Sequence, residues 1–497
     1  MSRIWMSATV LALVSTWGCS KEGDTGEDTG EAPPPPRLSG ALSMADADAS
    51  LLPVVPPDTL EDEEIVTNLG IAVSGAGDVN GDGHRDVLVG ADGGYGAVYL
   101  FQGPFEAGQR SVDEADATVI GVEEGEVSSL FGLTARGAGD LNQDGYDDIL
   151  MTDADYSGDL RAVFILHGPV SDREAHEDFY DVRLMGTEVP YAGIEAVPVG
   201  DVDGDGAGDL LVGSDKEPAN GEDSGAAWLI LGPAIASGDL DSQAAAVLMG
   251  ASGYDLAGAE VAGAGDVDGD GLADLLVGAT MASSGSTEAG AAYLVLAPVT
   301  GDLDLDDAHA KFVGLDEKDE AGAAVAGVGD VDGDGLDDFL IGAPGIDSAD
   351  PNAGGAYLVL DDDDKNRYLD DLIAFTGAAQ GDGAGEVLTG AGDLDGDGFA
   401  DLLIGAPRES SGGEDTGAAY LIYGGPDMAS LSLGDAGAAL VGAQGGDDAG
   451  GAVAGLGDID GDGFDDIAVG ANSEPSVLTN GGAVYLFFGG PPDASAR

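Results

Sequence analysis

The stretch Asp266-Val267-Asp268-Gly269-Asp270-Gly271-Leu272-Ala273-Asp274 decides the fold of this chain, because it is one of seven copies of a single pattern. The pattern is Asp-x-Asp/Asn-x-Asp-Gly-x-x-Asp, and its copies begin at Asp78, Asp140, Asp201, Asp266, Asp330, Asp393 and Asp458. The intervals between them are 62, 61, 65, 64, 63 and 65 residues. So regular a period predicts a repeat architecture in which each unit packs on the next.

Each copy predicts a calcium site. Carboxylates at positions 1, 3, 5 and 9 and the backbone carbonyl of position 7 supply hard oxygen ligands, and glycine at position 6 permits a sharp turn. Calcium takes about 6–8 such oxygens, magnesium keeps a tighter hydrated octahedron, and zinc needs Cys or His clusters that this sequence lacks. An EF-hand loop would need Glu at position 12, where Val277 stands in an apolar run. The loop therefore leads into a strand.

The copies differ in charge, because Asn replaces Asp at position 3 of the first two. The predicted ligands, with position 7 giving its carbonyl, are Asp78, Asn80, Asp82, His84 and Asp86; Asp140, Asn142, Asp144, Tyr146 and Asp148; Asp201, Asp203, Asp205, Ala207 and Asp209; Asp266, Asp268, Asp270, Leu272 and Asp274; Asp330, Asp332, Asp334, Leu336 and Asp338; Asp393, Asp395, Asp397, Phe399 and Asp401; and Asp458, Asp460, Asp462, Phe464 and Asp466. Up to seven Ca²⁺ are expected. The first two loops should bind most weakly, with the flanking Asp147 compensating in part in the second.

The residues around each loop predict four strands per unit. A strand of small residues, such as 323–329, precedes the loop, and an apolar strand follows it into a Gly-Ala-Pro-like turn. An aromatic strand such as 291–296 comes next, and a shorter strand such as 247–250 closes the unit. Four antiparallel strands per repeat, without helical periodicity, predict an all-β, seven-bladed β-propeller with a calcium-binding loop in each blade.

Two motifs give the repeat a resemblance to the FG-GAP family, the units of integrin α-subunit propellers. Gly-Ala-Pro stands at 342–344 and 405–407, and Phe-Gly stands at Phe131-Gly132, with weakened forms such as Leu69-Gly70 elsewhere. The resemblance covers about residues 60–490 and every metal-binding position of the loops. It implies a propeller, calcium in the loops, and adhesion or ligand binding, although no integrin stalk, spanning helix or cytoplasmic tail is expected.

The last repeat lacks an outer strand after 483–488, which predicts how the ring closes. An open ring would expose sheet edges. An N-terminal segment, either 50–55 or 58–61, is therefore expected to pair with the last aromatic strand and close the propeller.

The N-terminus reads as that of an exported bacterial lipoprotein. Residues 1–18 predict a signal peptide, and Cys19, the only cysteine, follows a small residue as a lipidation site does. Residues 19–57 predict a lipidated Cys and a disordered acidic, Pro-rich tether, and residues 58–497 predict the propeller. We expect an outer-membrane or cell-surface protein that contacts the membrane only through this lipid.

The net charge of the chain limits the classes of partner that it is expected to bind. The formal net charge is −79, with 95 acidic and 16 basic residues, so nucleic acid is not an expected partner. The four histidines are scattered, and no catalytic motif stands out. Two functions stay open: a non-enzymatic adhesion or ligand-binding module, or an extracellular calcium-dependent enzyme, either a polysaccharide lyase or a hydrolase.

The expected ligand is a protein or glycan bound on the face opposite the calcium loops. Tyr191, Tyr254 and Arg408 are the candidate anchors on that face, because Tyr and Arg often dominate binding. The chain is expected to be monomeric.

Overall fold

A computed structural model of the chain shows seven five-stranded sheets arranged as a β-propeller, which confirms the predicted seven-bladed architecture. It describes residues 38–491 except 54–67, 94–95, 121–131, 133, 154–161, 171–173, 176–179, 187–194, 284–285, 348–350, 361–366, 411–414 and 474–480. The signal-peptide and Cys19 predictions lie outside the described residues. The inner strand of each sheet contacts the inner strands of both neighbouring sheets, and that of the last sheet contacts the first, so the ring is closed.

The strands are short and the helices shorter. In chain order the strands are β1 (Gly40–Ser43), β2 (Ala49–Leu52), β3 (Leu69–Gly77), β4 (Asp86–Ala91), β5 (Ala97–Phe101), β6 (Gly108–Ser111), β7 (Ala117–Ile120), β8 (Thr134–Gly139), β9 (Asp148–Asp153), β10 (Ala162–Leu166), β11 (Glu174–Ala175), β12 (Val182–Met185), β13 (Glu195–Gly200), β14 (Asp209–Ser214), β15 (Ala226–Ile230), β16 (Gly238–Asp239), β17 (Ala246–Met249), β18 (Ala257–Gly265), β19 (Asp274–Ala279), β20 (Ala291–Val295), β21 (Leu303–Asp304), β22 (Ala310–Val313), β23 (Ala324–Gly329), β24 (Asp338–Gly342), β25 (Gly355–Val359), β26 (Arg367–Tyr368), β27 (Ile373–Thr376), β28 (Val387–Gly392), β29 (Asp401–Ala406), β30 (Ala418–Ile422), β31 (Leu431–Ser432), β32 (Ala438–Val441), β33 (Ala449–Gly457), β34 (Asp466–Ala471) and β35 (Ala483–Phe487). The helical turns are α1 (Leu240–Gln243) and 3-10 turns at Met44–Asp46, Val112–Glu114, Leu305–Asp307, Leu369–Asp371 and Leu433–Asp435. Within the described ranges, no helix has the length and hydrophobicity needed to span a bilayer.

The hydrophobic core lies between the blades as seven separate clusters. The second and third strands of a blade, such as β19 and β20, are buried along their whole length because both of their faces meet neighbouring sheets. One cluster joins Leu229 and Leu248 of the third blade to Val277 and Tyr293 of the fourth. This arrangement explains why these strands read as continuous apolar runs rather than alternating ones.

Each sheet has five strands, whereas the sequence predicted four. The additional strand comes from the following repeat: β21 pairs in parallel with β17, with Leu248 opposite Leu303. The 3-10 turn that follows β21 buries Leu305 among the residues between the two blades. Each repeat thus completes the outer edge of the blade before it.

The N-terminal segment closes the ring, as predicted. Strand β2 pairs antiparallel with β35, placing Ser50 opposite Tyr485, and β1 pairs in parallel with β32. The expected boundary of the tether at residue 57 is therefore wrong, because residues 40–52 already belong to the propeller. The alternative closing segment, 58–61, lies outside the described residues.

Candidate metal centre

Each metal loop joins the inner strand of a blade to its second strand, and a glycine marks the junction. In the third blade, Gly200 has φ +82°, and the register of β13 against β14 shifts between Pro198 and Gly200. This bulge bends the chain so that the loop begins at Asp201. The matching glycines of the other blades, all with positive φ, are Gly77, Gly139, Gly265, Gly329, Gly392 and Gly457.

The first aspartate of the loop organises its backbone. Asp201 Oδ1 accepts hydrogen bonds from the N–H groups of Gly204 at 2.7 Å and Asp205 at 3.1 Å, and its Oδ2 accepts one from Gly206 at 2.8 Å. Asp203 Oδ1 accepts a second bond from the Asp205 N–H at 3.1 Å. The loop is therefore wound around the carboxylates by short-range turn chemistry.

The ninth residue is a buried carboxylate that ties the loop to the sheet. Asp209 is 0% exposed, and its Oδ2 and Oδ1 accept bonds from the N–H groups of Val202 and Gly232, each at 2.8 Å. Burial raises the pKa of Asp209 to about 6, against the lowering effect of the two backbone bonds. Burial likewise raises the pKa of Asp86 and Asp274 to about 6, and that of Asp401 and Asp466 to about 7. A bound cation would offset the cost of keeping these carboxylates charged.

Five loops bring three carboxylates together. In each group, oxygens from positions 1, 3 and 9 lie within 4.8 Å of one another. The groups are Asp201, Asp203 and Asp209; Asp266, Asp268 and Asp274; Asp330, Asp332 and Asp338; Asp393, Asp395 and Asp401; and Asp458, Asp460 and Asp466. Sites of this kind are repeated at the same place in five of the seven blades.

Positions 5 and 7 of each loop contribute differently from positions 1, 3 and 9. The position-5 aspartates, predicted as ligands, stand outside the groups of three. Asp205 Oδ1 instead accepts a bond from the Ala207 N–H at 2.8 Å, which shapes the end of the loop. The roles of the position-5 side chains and the position-7 carbonyls as metal ligands stay predictions.

The first two loops keep the same fold with less charge. Asn80 Oδ1 accepts a bond from the Asp82 N–H at 2.8 Å, as an aspartate does in the other loops, and Asn142 does the same for Asp144 at 2.9 Å. In the second loop, His167 Nδ1 also lies 3.1 Å from Asp148 Oδ2. The sequence analysis counted His167 among four scattered histidines. The contact was not apparent there, because His167 stands 19 positions after Asp148 in the chain.

The donor set fits a hard divalent cation. Asp266 Oδ1 is buried and has no hydrogen-bond partner among the described residues, although its carboxylate lies in a group of three. An unpaired buried carboxylate oxygen is costly, and a cation in the group would satisfy it. Carboxylate and backbone oxygens are the ligands that calcium and magnesium take, and the loop has no sulfur or imidazole donor at these positions.

The opposite face of the ring carries a groove between the third and fourth blades. It is a cavity of about 710 Å³, lined by Tyr254, Met281, Lys216 and Lys311 among others. Tyr254 is 58% exposed, and its hydroxyl hydrogen-bonds the Glu222 carboxylate. Of the other predicted anchors on this face, Arg408 is paired with Glu386, and Tyr191 lies outside the described residues.

The axis of the ring holds charged residues that sequence reasoning missed. A central channel of about 410 Å³ is lined by Arg136 and Glu260, and Arg136 forms an ion pair with Glu195, whose charged atoms lie 2.6 Å apart. Burial, and then the neighbouring Glu195, raises the pKa of Glu260, against the lowering effect of Arg136. These residues come from three different repeats, so no local motif signals them.

Comparison with known proteins gives the same repeat. The FG-GAP repeat model matches residues 69–101, 257–295, 384–422 and 449–487, which are parts of four blades, each beginning at or just before an inner strand. The chain is similar to integrin alpha-PS2 of Drosophila melanogaster, with 36% identity over 30% of this chain and 11% of that protein. It is also similar to human integrin alpha-6, with 29% identity over 35% of this chain and 15% of that protein.

An enzyme stands among the similar proteins. The phosphatidylinositol-glycan-specific phospholipase D of Rattus norvegicus is 33% identical over 34% of this chain and 21% of that protein. The matched stretches therefore span between 11% and 21% of the length of these curated relatives.

Proposed function

Because this chain is an FG-GAP, integrin alpha-like β-propeller, we propose that it is a calcium-binding, non-enzymatic binding module. The observation that supports calcium most directly is the recurrence of one three-carboxylate group at the same place in five blades. All-oxygen sites on flexible loops suit calcium better than magnesium, which prefers to keep its water ligands. The two loops with Asn at position 3 complete a ring of up to seven sites.

The opposite face is the proposed binding surface. The groove beside Tyr254 combines an exposed aromatic ring and the partly exposed Met281 with carboxylates, hydroxyls and two lysines. A partly apolar cavity with a few placed polar groups is the usual form of a recognition site. We propose a protein or glycan ligand here, bound by a monomer, and adhesion as the biological outcome that the integrin relatives favour.

The proposed location is the outer membrane or the cell surface. It rests on the signal-like residues 1–18 and on Cys19, a residue that would carry the lipid. The first described strand, β1, is the outermost strand of its sheet. A tether that enters the ring there would leave both faces accessible.

A calcium-dependent enzyme is the second candidate. It is favoured by the similarity to a phosphatidylinositol-glycan-specific phospholipase D. Under this proposal the propeller would support catalysis, and the same opposite face would hold a substrate.

One experiment separates the two candidates. Chain 20–497 is screened on protein and glycan arrays, with calcium and with chelator, beside a panel of polysaccharide lyase, hydrolase and phospholipase substrates. We expect calcium-dependent binding without turnover, lost in a Tyr254→Ala/Met281→Ala variant that melts like the parent. Turnover of any substrate in the panel would favour the enzyme, and binding that survives the double substitution would place the ligand elsewhere.

A further inference from the structure

The eighth residue of a metal loop reaches the loop of the preceding blade. Asp147 Oδ2 accepts a hydrogen bond at 2.7 Å from the N–H of Asp78, the first ligand of the previous loop. Asp337 does the same for Asp266 at 2.9 Å. Asp465 does so for Asp393, also at 2.9 Å. Three pairs of neighbouring loops are thus joined by a carboxylate that belongs to neither predicted ligand set.

The junction glycine makes room for this contact. A methyl group added to Gly77, Gly265 or Gly392 would collide with the carboxylate of Asp147, Asp337 or Asp465. The carboxylate is half-buried in that notch, beside the start of the loop it contacts. The contact is therefore a fixed part of the interface between the blades.

Other loops of the same ring lack the carboxylate and serve as internal controls. Ala273 and Ala400 occupy position 8 of their loops, and their N–H groups donate to the carbonyls of Asp201 at 2.9 Å and Asp330 at 3.0 Å. The Asp337 N–H makes the same backbone bond, to the Asp266 carbonyl at 3.1 Å. The backbone bond is thus shared by loops with and without the acid, and the side chain is what differs.

We propose that Asp147, Asp337 and Asp465 are positioning residues that raise the calcium affinity of the loop in the preceding blade. The proposal rests on the calcium sites of the proposed function and deepens it. The loops at 78–86 and 140–148, at 266–274 and 330–338, and at 393–401 and 458–466 would act as three linked pairs. The loop at 201–209 receives no such carboxylate, because Ala273 faces it.

Two physical effects support this assignment. The hydrogen bond fixes the backbone of the first ligand, and groups that orient metal ligands from outside typically change metal affinity by about 10–100-fold. The added negative charge also repels the loop carboxylates when the site is empty and attracts the cation when it is filled. Both effects favour the metal-bound loop.

The test measures calcium binding loop by loop. Hydrogen–deuterium exchange of the full chain is followed during a calcium titration, since peptides covering different loops report separately. In Asp337→Ala, we expect protection of the 266–274 peptide to need about tenfold more calcium, with the 201–209 peptide unchanged. Asp337→Asn keeps an acceptor oxygen and loses the charge, so its midpoint should lie between those of Asp337→Ala and the parent.

Two controls complete the test. Ala273→Asp adds the missing carboxylate and should lower the calcium midpoint of the 201–209 peptide, whereas Asp371→Ala removes an exposed charge outside the loops and should shift none. Unchanged 266–274 midpoints in both Asp337 variants, equal shifts of all loops in Asp337→Ala, or an unchanged 201–209 midpoint in Ala273→Asp would each overturn the positioning role. If no loop gains protection with calcium in the parent, the calcium proposal itself fails.

Discussion

On the face with the metal loops, side chains repeat from blade to blade, whereas on the opposite face mainly the backbone repeats. After the second strand of four blades, the N–H of one residue donates to the carbonyl of a buried aspartate in the loop between blades. These pairs are Met281 and Asp255, Gly345 and Asp319, Arg408 and Asp382, and Ser473 and Asp447, with distances of 3.2–3.4 Å. The four donor residues share this backbone bond but differ in side chain: Met281 carries a thioether, Gly345 has no side chain, Arg408 carries a guanidinium and Ser473 a hydroxyl.

The difference teaches where this protein can vary without cost. A loop that must gather three carboxylates has its side chains fixed by that task, so the copies resemble each other. On the opposite face the backbone bonds hold the loops in place, and the side chains are left for recognition. Substitutions on the loop face should therefore act on stability, and substitutions on the opposite face should act on binding.

The largest expected effect concerns the ring on which both faces depend. A chain that starts at residue 38 keeps β1 and β2, whereas one that starts at residue 54 loses both and leaves β32 and β35 as open edges. We expect the first to melt cooperatively and the second to aggregate. Calorimetry and light scattering of the two chains make the comparison, and a parent-like melt of the shorter chain would contradict the closure.

Removal of calcium should separate the faces most clearly. A ligand that binds only the folded state adds about 2.7 kcal/mol per site at a hundredfold excess over Kd. With several sites, a chelator should lower Tm by more than about 10 °C, through the loop face alone. An unchanged Tm in chelator, together with no calcium by elemental analysis, would refute the calcium proposal.

The buried position-9 carboxylates predict opposite pH trends with and without calcium. Their raised pKa values, about 6 to about 7, mean that the metal-free folded state holds protons that the unfolded state releases. Metal-free stability should therefore fall as pH rises from about 4 to about 7. Calcium competes with these protons, so its stabilisation should grow over the same interval. Equal calcium-induced changes in Tm at pH 5 and pH 8 would contradict this coupling.

A smaller effect ranks the loops within one face. Fewer carboxylates attract a divalent ion less strongly, so the loops with Asn80 and Asn142 should release calcium first. Asp147 was expected to support the second loop, but its carboxylate bonds to Asp78 in the first. We now expect the loop at 140–148 to empty earliest in a chelator titration followed by hydrogen exchange. Asn142→Asp should delay its release, and a parent loop at 140–148 that holds calcium tightest would contradict the ranking.

The smallest effect tests the tolerance of the opposite face. Tyr254 has φ +67°, a left-handed backbone that Gly381 and Gly446 adopt at the matching place in later repeats. Relief of such strain by glycine typically gains about 0.5–1 kcal/mol, whereas alanine retains the strain. Thermal melts should therefore rank Tyr254→Gly as more stable than Tyr254→Ala. The reverse order would mean that residue 254 holds no left-handed backbone strain that glycine relieves.

Much of the fold was predictable because its signals lie in contiguous residues. The Asp-Gly pattern, the Gly-Ala-Pro-like turns and the apolar runs each span fewer than ten residues, and their repetition removed the ambiguity of any single copy. The closing strand was predictable from a deficit at 483–488. Its signal is also local: Ser43-Met44-Ala45-Asp46-Ala47 resembles Ser432-Leu433-Gly434-Asp435-Ala436, and both begin a 3-10 turn between strands.

By itself, the sequence determined the number of blades, the loop residues and the need for an N-terminal strand. It could do so because each unit is specified by a local motif that recurs seven times. Only the tertiary structure decided which groups meet across units. It placed Asp147 against Asp78, 69 residues apart, and added to each sheet a short parallel strand from outside its own repeat. It also gathered positions 1, 3 and 9 of five loops and left position 5 outside. Such contacts depend on the angle at which neighbouring blades pack, and no run of residues within one blade encodes that angle.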